Sequence, residues 1–388
     1  MRLFVLLSRV PYPLEKGDKL RAFHQVRELS KYNEIILCAL NPDGKLDKQK
    51  AFQKLQPYCR SINFIDLPWY RILFNMFLSF FKGLPIQTGY FYNRNANKKV
   101  KALIEEYKPD HIYCQLVRTA EYVKKSPIKK TIDYQDVFSY GIKRRYEKAN
   151  FFMKPFFKME YERLVKYENH LFDIFDNKTI ISKPDRDLIE HVNKQEIHII
   201  PNGVDHDFFS PMDREKKYDL VFAGNMAYPP NVDAAIFLVK EIMPIVWEQN
   251  PEINVLLAGV SPDKKVVALK SEKVSVSGWL DDIRDAYSSA RIFIAPMRIG
   301  TGLQNKLLEA MAMRIPSITT KLANDALMAA DGEEVLIGNT AAELAEKIQV
   351  LLSADKVYDK IAKSGFDFVN NNYSWKESTA KLDEIIKG

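Results

Sequence analysis

The stretch Arg298-Ile-Gly-Thr-Gly-Leu-Gln-Asn-Lys-Leu-Leu-Glu-Ala-Met-Ala-Met313 decides the fold. Just upstream, Arg291-Ile-Phe-Ile-Ala-Pro296 is an apolar run of branched and aromatic side chains, the pattern of a buried strand. Gly300 and Gly302 then bracket Thr301, and a helix rich in Leu, Ala and Met follows, with Pro316 marking its far side. Strand, glycine turn and helix in that order belong to a parallel α/β sheet, which binds ligands beyond the C-terminal ends of its strands. First-turn helix amides lack intrahelical partners and carry partial positive charge, so they suit a phosphate. Lys306 and Glu309 are three apart and Gly302 lies one turn back, which predicts one helix face with a cation, a carboxylate and anion-binding amides. That face suits a nucleotide diphosphate with its ribose. The plainer alternative is an amphipathic helix whose Lys and Glu form a surface pair.

Outward from this segment the chain reads as two α/β domains, the natural division for 388 residues. In the first half, strand patterns occur at 3–7, 34–39, 61–65, 110–114, 130–134 and 178–181, with helical patterns such as 19–31 between them. Such alternation implies a parallel sheet covered by helices on both faces. Asn202-Gly203 is a turn signal inside a Pro-bounded linker, 199–211. Beyond it come a strand at 218–226 ending near Gly224, a helix at 232–246, strands at 254–259 and 274–277, and a helix at 283–290.

Composition excludes several classes. The chain is 46% hydrophobic and 28% charged, a globular balance. Cys38, Cys59 and Cys114 are too dispersed for a disulfide framework or a zinc site and favour a reducing compartment. Residues 1–8 are too short for a signal sequence and read as the first strand, so a cytoplasmic location is expected. The loop after that strand has neither a Gly-Xaa-Gly-Xaa-Xaa-Gly fingerprint nor a P-loop, so the usual signals for NAD and ATP are missing. Asp281-Asp-Ile-Arg-Asp285 reads as an acid-capped helix start rather than a metal cluster, and the six histidines show no ligand spacing. The net charge of +7 divides into +13 for residues 1–200 and −6 for residues 201–388. A basic half suggests an anionic partner, and no nucleic-acid motif accompanies it. Segment 69–82, aromatic and flanked by Arg71 and Lys82, is too short to span a bilayer but can lie in its interface. With the basic-aromatic stretch 143–158 it points to peripheral contact with an anionic membrane; the alternative is two helices packed on their own domain. Asp133 and Asp136 follow a strand, where isolated acids are commonly turn residues.

The signature helix resembles that of family-4 retaining glycosyltransferases, whose motif is Glu, seven residues, Glu, then Ala-Met-Ala and Pro. Glu309 falls on the second Glu and Thr301 on the first. A bacterial polysaccharide-type subgroup with Gly-Xaa-Xaa-Asn-Lys-Xaa-Xaa-Glu-Ala-Met is matched better, by residues 302–311. The junction at 200–205, the closing segment 371–375, and Pro11, Pro13, Gly17 and Arg21 near the N-terminus also resemble the family.

The resemblance implies the GT-B architecture: two Rossmann-like domains with parallel sheets facing across a cleft. Residues 1–200, completed by 371–388, would bind the acceptor, and residues 212–370 the nucleotide-sugar. It also implies metal-independent, cofactor-free hexosyl transfer with retention, from a nucleotide-diphosphate sugar to a glycan or lipid-linked acceptor. The setting would be cell-surface polysaccharide or glycoconjugate synthesis, at the inner face of the membrane. By the same resemblance the donor-binding residues are Gly17, Gly224, Asn225, Trp279, Leu280, Thr301, Gly302, Asn305, Lys306 and Glu309. The family's Arg…Lys pair after Gly224 is missing, so Arg298 and Lys306 are the expected diphosphate contacts. Arg298, Lys306, Glu309 and Asp136 are the expected catalytic residues, with Asp133, Asp136 and Ser139 on the acceptor side. Thr301 in place of a Glu leaves open how the donor sugar hydroxyls are held. Two alternatives stand: a GT-B sugar-nucleotide epimerase, and a non-catalytic nucleotide-sugar binder.

Overall fold

Apart from Arg2, every residue of β1 (Arg2–Leu7) is buried, as in a strand covered by helices on both faces. It pairs in parallel with β2 (Glu34–Asn41) on one side and with β4 (His111–Gln115) on the other. With β3 (Ser61–Asp66), β5 (Lys130–Asp133), β6 (Asn177–Ile180) and β7 (His198–Ile199) these form a seven-stranded sheet of order β3-β2-β1-β4-β5-β6-β7. The direction of winding reverses between β1 and β4, the switch point of a Rossmann-like unit. The computed structural model describes residues 1–300 and 302–388. They divide into two units, Met1–Pro201 with Lys376–Gly388, and Asn202–Trp375. The helix Trp375–Lys387 belongs to the first unit: Leu382 and Ile386 are buried beside Leu3, Val5 and Leu37, and Asn33 Nδ2 donates to Asp383 Oδ1 at 2.6 Å.

The second unit repeats the plan. Its strands are β8 (Tyr218–Ala223), β9 (Val255–Ala258), β10 (Val274–Val276), β11 (Ala290–Ala295), β12 (Ser317–Thr319) and β13 (Leu336–Ile337). They pair in parallel in the order β10-β9-β8-β11-β12-β13, with the switch point between β8 and β11. The fold class is therefore α/β with two Rossmann-like units. The segment expected as one helix over 232–246 is three pieces: Pro229–Phe237, a π-turn at Leu238–Ile242, and Met243–Gln249. Pro244 has no N–H to return to the preceding turn, and the wider π-turn absorbs that lost bond.

A close approach of backbone fixes the C-terminal ends of β8 and β9. Gly259 has φ +138°, and a Cβ there would lie 1.8 Å from the carbonyl oxygen of Gly224. Gly259→Ala should therefore destabilise the second unit by roughly 2–5 kcal/mol, strain and overpacking together. Gly17→Ala, whose Cβ meets nothing within 4 Å, should change stability by only about 0.5 kcal/mol. Urea denaturation of both variants checks this; equal midpoints would refute the close approach as a constraint.

Candidate functional site

In the second unit the connections from β8 and β11 leave on opposite sides, so the edge between them is open. Gly224 follows β8 there, and Met297 and Arg298 follow β11. The helix Asn305–Ala312 begins beside this edge, and its N-cap residue Gln304 makes no side-chain capping bond. Its first-turn amides are thus left without a side-chain acceptor. Leu307, Leu308, Ala310, Met311 and Ala312 are buried, which turns the remaining face, with Lys306 and Glu309, toward the edge.

Lys306 reaches into the switch point. Its Nζ donates to Asn231 Oδ1, lies 4.0 Å from Met297 Sδ, and sits 4.9 Å from the centre of the Phe222 ring. A Cβ on Gly224 would come within 3.4 Å of it. Burial lowers the Lys306 amine to about 7, with the Glu309 carboxylate pulling it back up. The same burial raises Glu309, against a 2.7 Å hydrogen bond from the Tyr287 hydroxyl to Oε2 and the charge of Lys306. Oε1 of Glu309 has no hydrogen-bond partner among the described residues. Asn231 is itself oriented, donating through Nδ2 to Asn225 O at 2.9 Å, while Asn225 Oδ1 accepts from Ala227 N at 3.0 Å. Asn305 Oδ1 accepts from Asn202 Nδ2 at 3.0 Å.

Gly224, Asn225, Asn305, Lys306 and Glu309 are thus brought to one edge. Gly302, with φ +81°, precedes the helix and does not share its face. Thr301 lies outside the described residues. Trp279, 64% exposed, follows β10 at the same edge and donates through Nε1 to Asp281 Oδ1 at 3.3 Å, and Leu280 packs on the unit's core. Asp282 caps the helix Ile283–Ser288 by accepting from Arg284 N at 2.9 Å.

Arg298 requires a correction. Its guanidinium is bidentate on Asp233, at 3.1 and 3.0 Å, donates to Glu241 at 2.9 Å, and lies 4.2 Å from the centre of the Phe237 ring. Two carboxylates already neutralise it, so it fastens the end of β11 to the neighbouring helix instead of serving as a free diphosphate contact.

Asp133 requires another. It ends β5 with no exposed surface, bidentate to the equally buried Arg21 at 2.7 and 3.1 Å. It also accepts from Tyr113 Oη at 3.0 Å and Thr179 Oγ1 at 2.9 Å. Every lone pair is used and no acceptor can reach it; Asp133 is a structural counter-ion. Of the other first-unit residues, Asp136 is exposed and accepts from Val137 N at 2.8 Å. Ser139 is buried, its N–H donating to Glu168 Oε1 at 3.1 Å, and Gly17 opens the helix Gly17–Leu29. The sequence reading missed Asn231 and Tyr287, which position Lys306 and Glu309. They lie 75 and 22 residues away from those partners, and no local spacing signals such contacts.

Residues 217–354 match the family described as Glycosyl transferases group 1. The matched stretch lies within the second unit. Over 97% of both chains, this sequence is 23% identical to an "Uncharacterized 44.6 kDa protein in cps region" of Klebsiella pneumoniae. Among solved structures it is similar to the sucrose-phosphate synthase of Thermosynechococcus elongatus, with TM-score 0.71 and 14% identity over 100% of this chain and 98% of that one. It is also similar to HepE of Anabaena in complex with UDP-glucose, with TM-score 0.71 and 12% identity over 100% of both chains. The fold is that of the GT-B glycosyltransferases.

Asp133→Asn removes the charge that is bidentate on the buried Arg21 and should destabilise the first unit by about 3–5 kcal/mol. Chemical denaturation checks this; a variant of unchanged stability would show that the pair does not hold the sheet.

Proposed function

We propose that this protein transfers a hexosyl group, with retention, from a nucleotide-diphosphate sugar to a glycan or lipid-linked acceptor in cell-surface polysaccharide synthesis. The observation that carries this reading is Lys306, a buried amine at the switch point beside an uncapped helix start, with Glu309 on the next turn. Negative charge grows on the diphosphate as the sugar departs, and a preorganised cation with first-turn amides stabilises it. Glu309, fixed through Oε2 by Tyr287, offers Oε1 to a ribose hydroxyl. The backbone at Trp279 and Leu280 takes the base. For retention, the departing phosphate oxygen accepts the proton of the acceptor hydroxyl on the face it is leaving. Asp136, the exposed acid after β5, belongs to the acceptor side. These residues account for the chemistry without a metal or cofactor. The cps-region relative supports the polysaccharide setting, and the UDP-glucose held by HepE makes UDP-sugars the first donors to try.

The acceptor is met at a membrane surface in this reading. Among the described residues no helix is long and apolar enough to cross a membrane. The helix Trp69–Phe81 instead exposes Trp69, Leu73, Phe74, Phe77 and Phe81, spaced along one face, and Phe151 and Phe152 are 85% and 87% exposed. Arg163 Cζ lies 5.1 Å from the centre of the Phe80 ring, joining that helix to the helix Lys154–Ile174 that follows the second aromatic pair. Aromatics beside Arg71, Lys82, Lys154 and Lys158 suit an anionic bilayer interface.

Two outcomes follow. A bound diphosphate raises the lowered Lys306 amine, so donor binding takes up a proton at pH values above about 7. The affinity for UDP-glucose should then fall as pH rises from 7 to 9, by up to about tenfold per unit. Lys306→Ala should flatten the profile, and Glu309→Ala should weaken binding by about 1.5–3 kcal/mol. Calorimetry in buffers of different ionisation enthalpy reads both; a flat wild-type profile or unchanged Glu309→Ala affinity would refute the assigned roles. Second, the protein should co-sediment with phosphatidylglycerol vesicles at 0.1 M salt and be released at 1 M, where the Debye length falls from about 10 to about 3 Å. Phe74→Ser with Phe77→Ser should weaken that binding. Equal recovery on neutral vesicles, or none on either, would leave the aromatic ridge without a membrane role.

A further inference from the structure

The first unit has its own switch point, between β1 and β4, and one cation there lacks a directly paired carboxylate among the described residues. Arg9 follows β1, and Arg118 lies in the turn after β4. Arg9 Cζ sits 5.7 Å and Arg118 Cζ 5.1 Å from the centre of the same Phe91 ring, and Arg118 also lies 4.3 Å from that of Phe138. Arg9 has a counter-ion, Asp18, at 2.5 Å. Arg118 donates from Nε to the neutral side chain of Gln87 at 3.3 Å, and among the described residues no carboxylate pairs with it. Burial and the neighbouring Arg9 lower its pKa to about 10, against the more distant Asp18 and Asp136, so it stays charged at neutral pH. Arg9 and Asp18 also line a small cavity with Ser8, Lys19 and Gln115, and Lys19 is a further, mostly buried amine. Of these three cations only Arg9 has a directly paired acid among the described residues; Glu15 and Asp43 act on Lys19, and Asp18 and Asp136 on Arg118, through charge without an ion pair. A cation removed from water without a partner is costly, and the cost is relieved when a ligand supplies the charge.

The backbone at this point is strained as well. Leu116 has φ 64° and ψ 145°, a conformation that side-chain-bearing residues rarely adopt, and its N–H donates to Asp133 O at 2.8 Å. That turn carries the chain from the buried end of β4 into the segment bearing Arg118. The aromatic faces of Phe91 and Phe138 flank the guanidinium, leaving its terminal N–H groups as a fork suited to two oxygens.

We infer that the switch point of the first unit binds an oxyanion carried by the acceptor, a phosphate or a sugar carboxylate, held by Arg118 and Arg9. This rests on the glycosyl-transfer reading above and adds the chemical class of the acceptor. A neutral sugar would offer these cations only hydroxyl hydrogen bonds, whereas a phosphorylated or uronic-acid-bearing acceptor also supplies the opposite charge.

The test uses the full chain saturated with UDP, so that the second unit's anion site is already filled. Inorganic phosphate and, separately, glucuronate are titrated by calorimetry or ligand-observed NMR. At least one should bind, about tenfold or more weakly in Arg118→Gln, with partial recovery in Arg118→Lys. Circular dichroism and the Tm without ligand confirm that the variants are folded. Should Arg118→Gln not fold, Arg9→Gln, whose side chain is 27% exposed, is read in the same way. Phosphate binding supports a phosphorylated acceptor, and glucuronate binding an acidic glycan. Binding of neither, binding unchanged in the Arg118 variant, or complete displacement of the oxyanion by UDP would overturn the inference. Failure of UDP itself to bind is a separate result that strikes the donor reading and this inference with it.

Discussion

A parallel sheet ends all its strands at one edge, and connections that diverge from two neighbouring strands leave those ends uncovered. Both sheets have one such gap, between β1 and β4 and between β8 and β11. This topological constraint decides where chemistry can be placed, because elsewhere along each edge the connections crowd the strand ends. At the second gap it is enforced at atomic scale: the missing Cβ of Gly259 lets the end of β9 press on the carbonyl of Gly224. Gly224 then leaves room for the amine of Lys306, which enters from the following helix. The site depends on that packing before it depends on any charge.

In the first unit, the buried Arg21 and the half-buried Arg118 show how compensation separates scaffold from site. Arg21 meets Asp133 bidentately, and Tyr113 and Thr179 occupy what remains of that carboxylate. A pair so fully satisfied has no capacity for a ligand, and it steadies the middle of the sheet, although an apolar pair of similar volume can be as stable. Arg118 has an amide oxygen and two aromatic rings in place of a carboxylate. Aromatic faces and one neutral acceptor replace only part of the hydration a guanidinium loses. The contrast explains why Asp133, next to the site in sequence, is no part of it.

The sequence made the architecture legible where strands are long enough to show a pattern. Residues 3–7 and 34–39 are continuous or nearly continuous apolar runs, residues 61–65 alternate polar and apolar as far as Phe64, and the three lie within β1, β2 and β3. β7 and β13 have two residues each, too few for any period to register, and they went unread, as did the three-residue β12. The signature helix could be read because its glycine turn and Lys306–Glu309 spacing are local. Asn231 and Tyr287 could not, since each acts through a hydrogen bond formed only after the sheet is assembled. Arg298 was misread for a related reason. From sequence it is a cation beside a glycine turn; its two carboxylate partners come from a helix that tertiary packing brings alongside.

Arg298 and Lys306, only eight positions apart in sequence, are two different solutions to placing positive charge near one strand end. A guanidinium cannot shed its proton in a protein, so a partly buried arginine needs a standing counter-ion, and Arg298 has two. An amine can respond to its surroundings. Buried with a neutral amide as its acceptor and one carboxylate a turn away, Lys306 ionises near neutrality. A free site then carries little uncompensated charge, and the full charge appears when an anion arrives to stabilise it. Arginine at position 306 would have to remain charged in the same pocket, bringing the desolvation cost that the lowered pKa of lysine avoids. For the chemistry proposed at this edge, a lysine is therefore the better-suited cation.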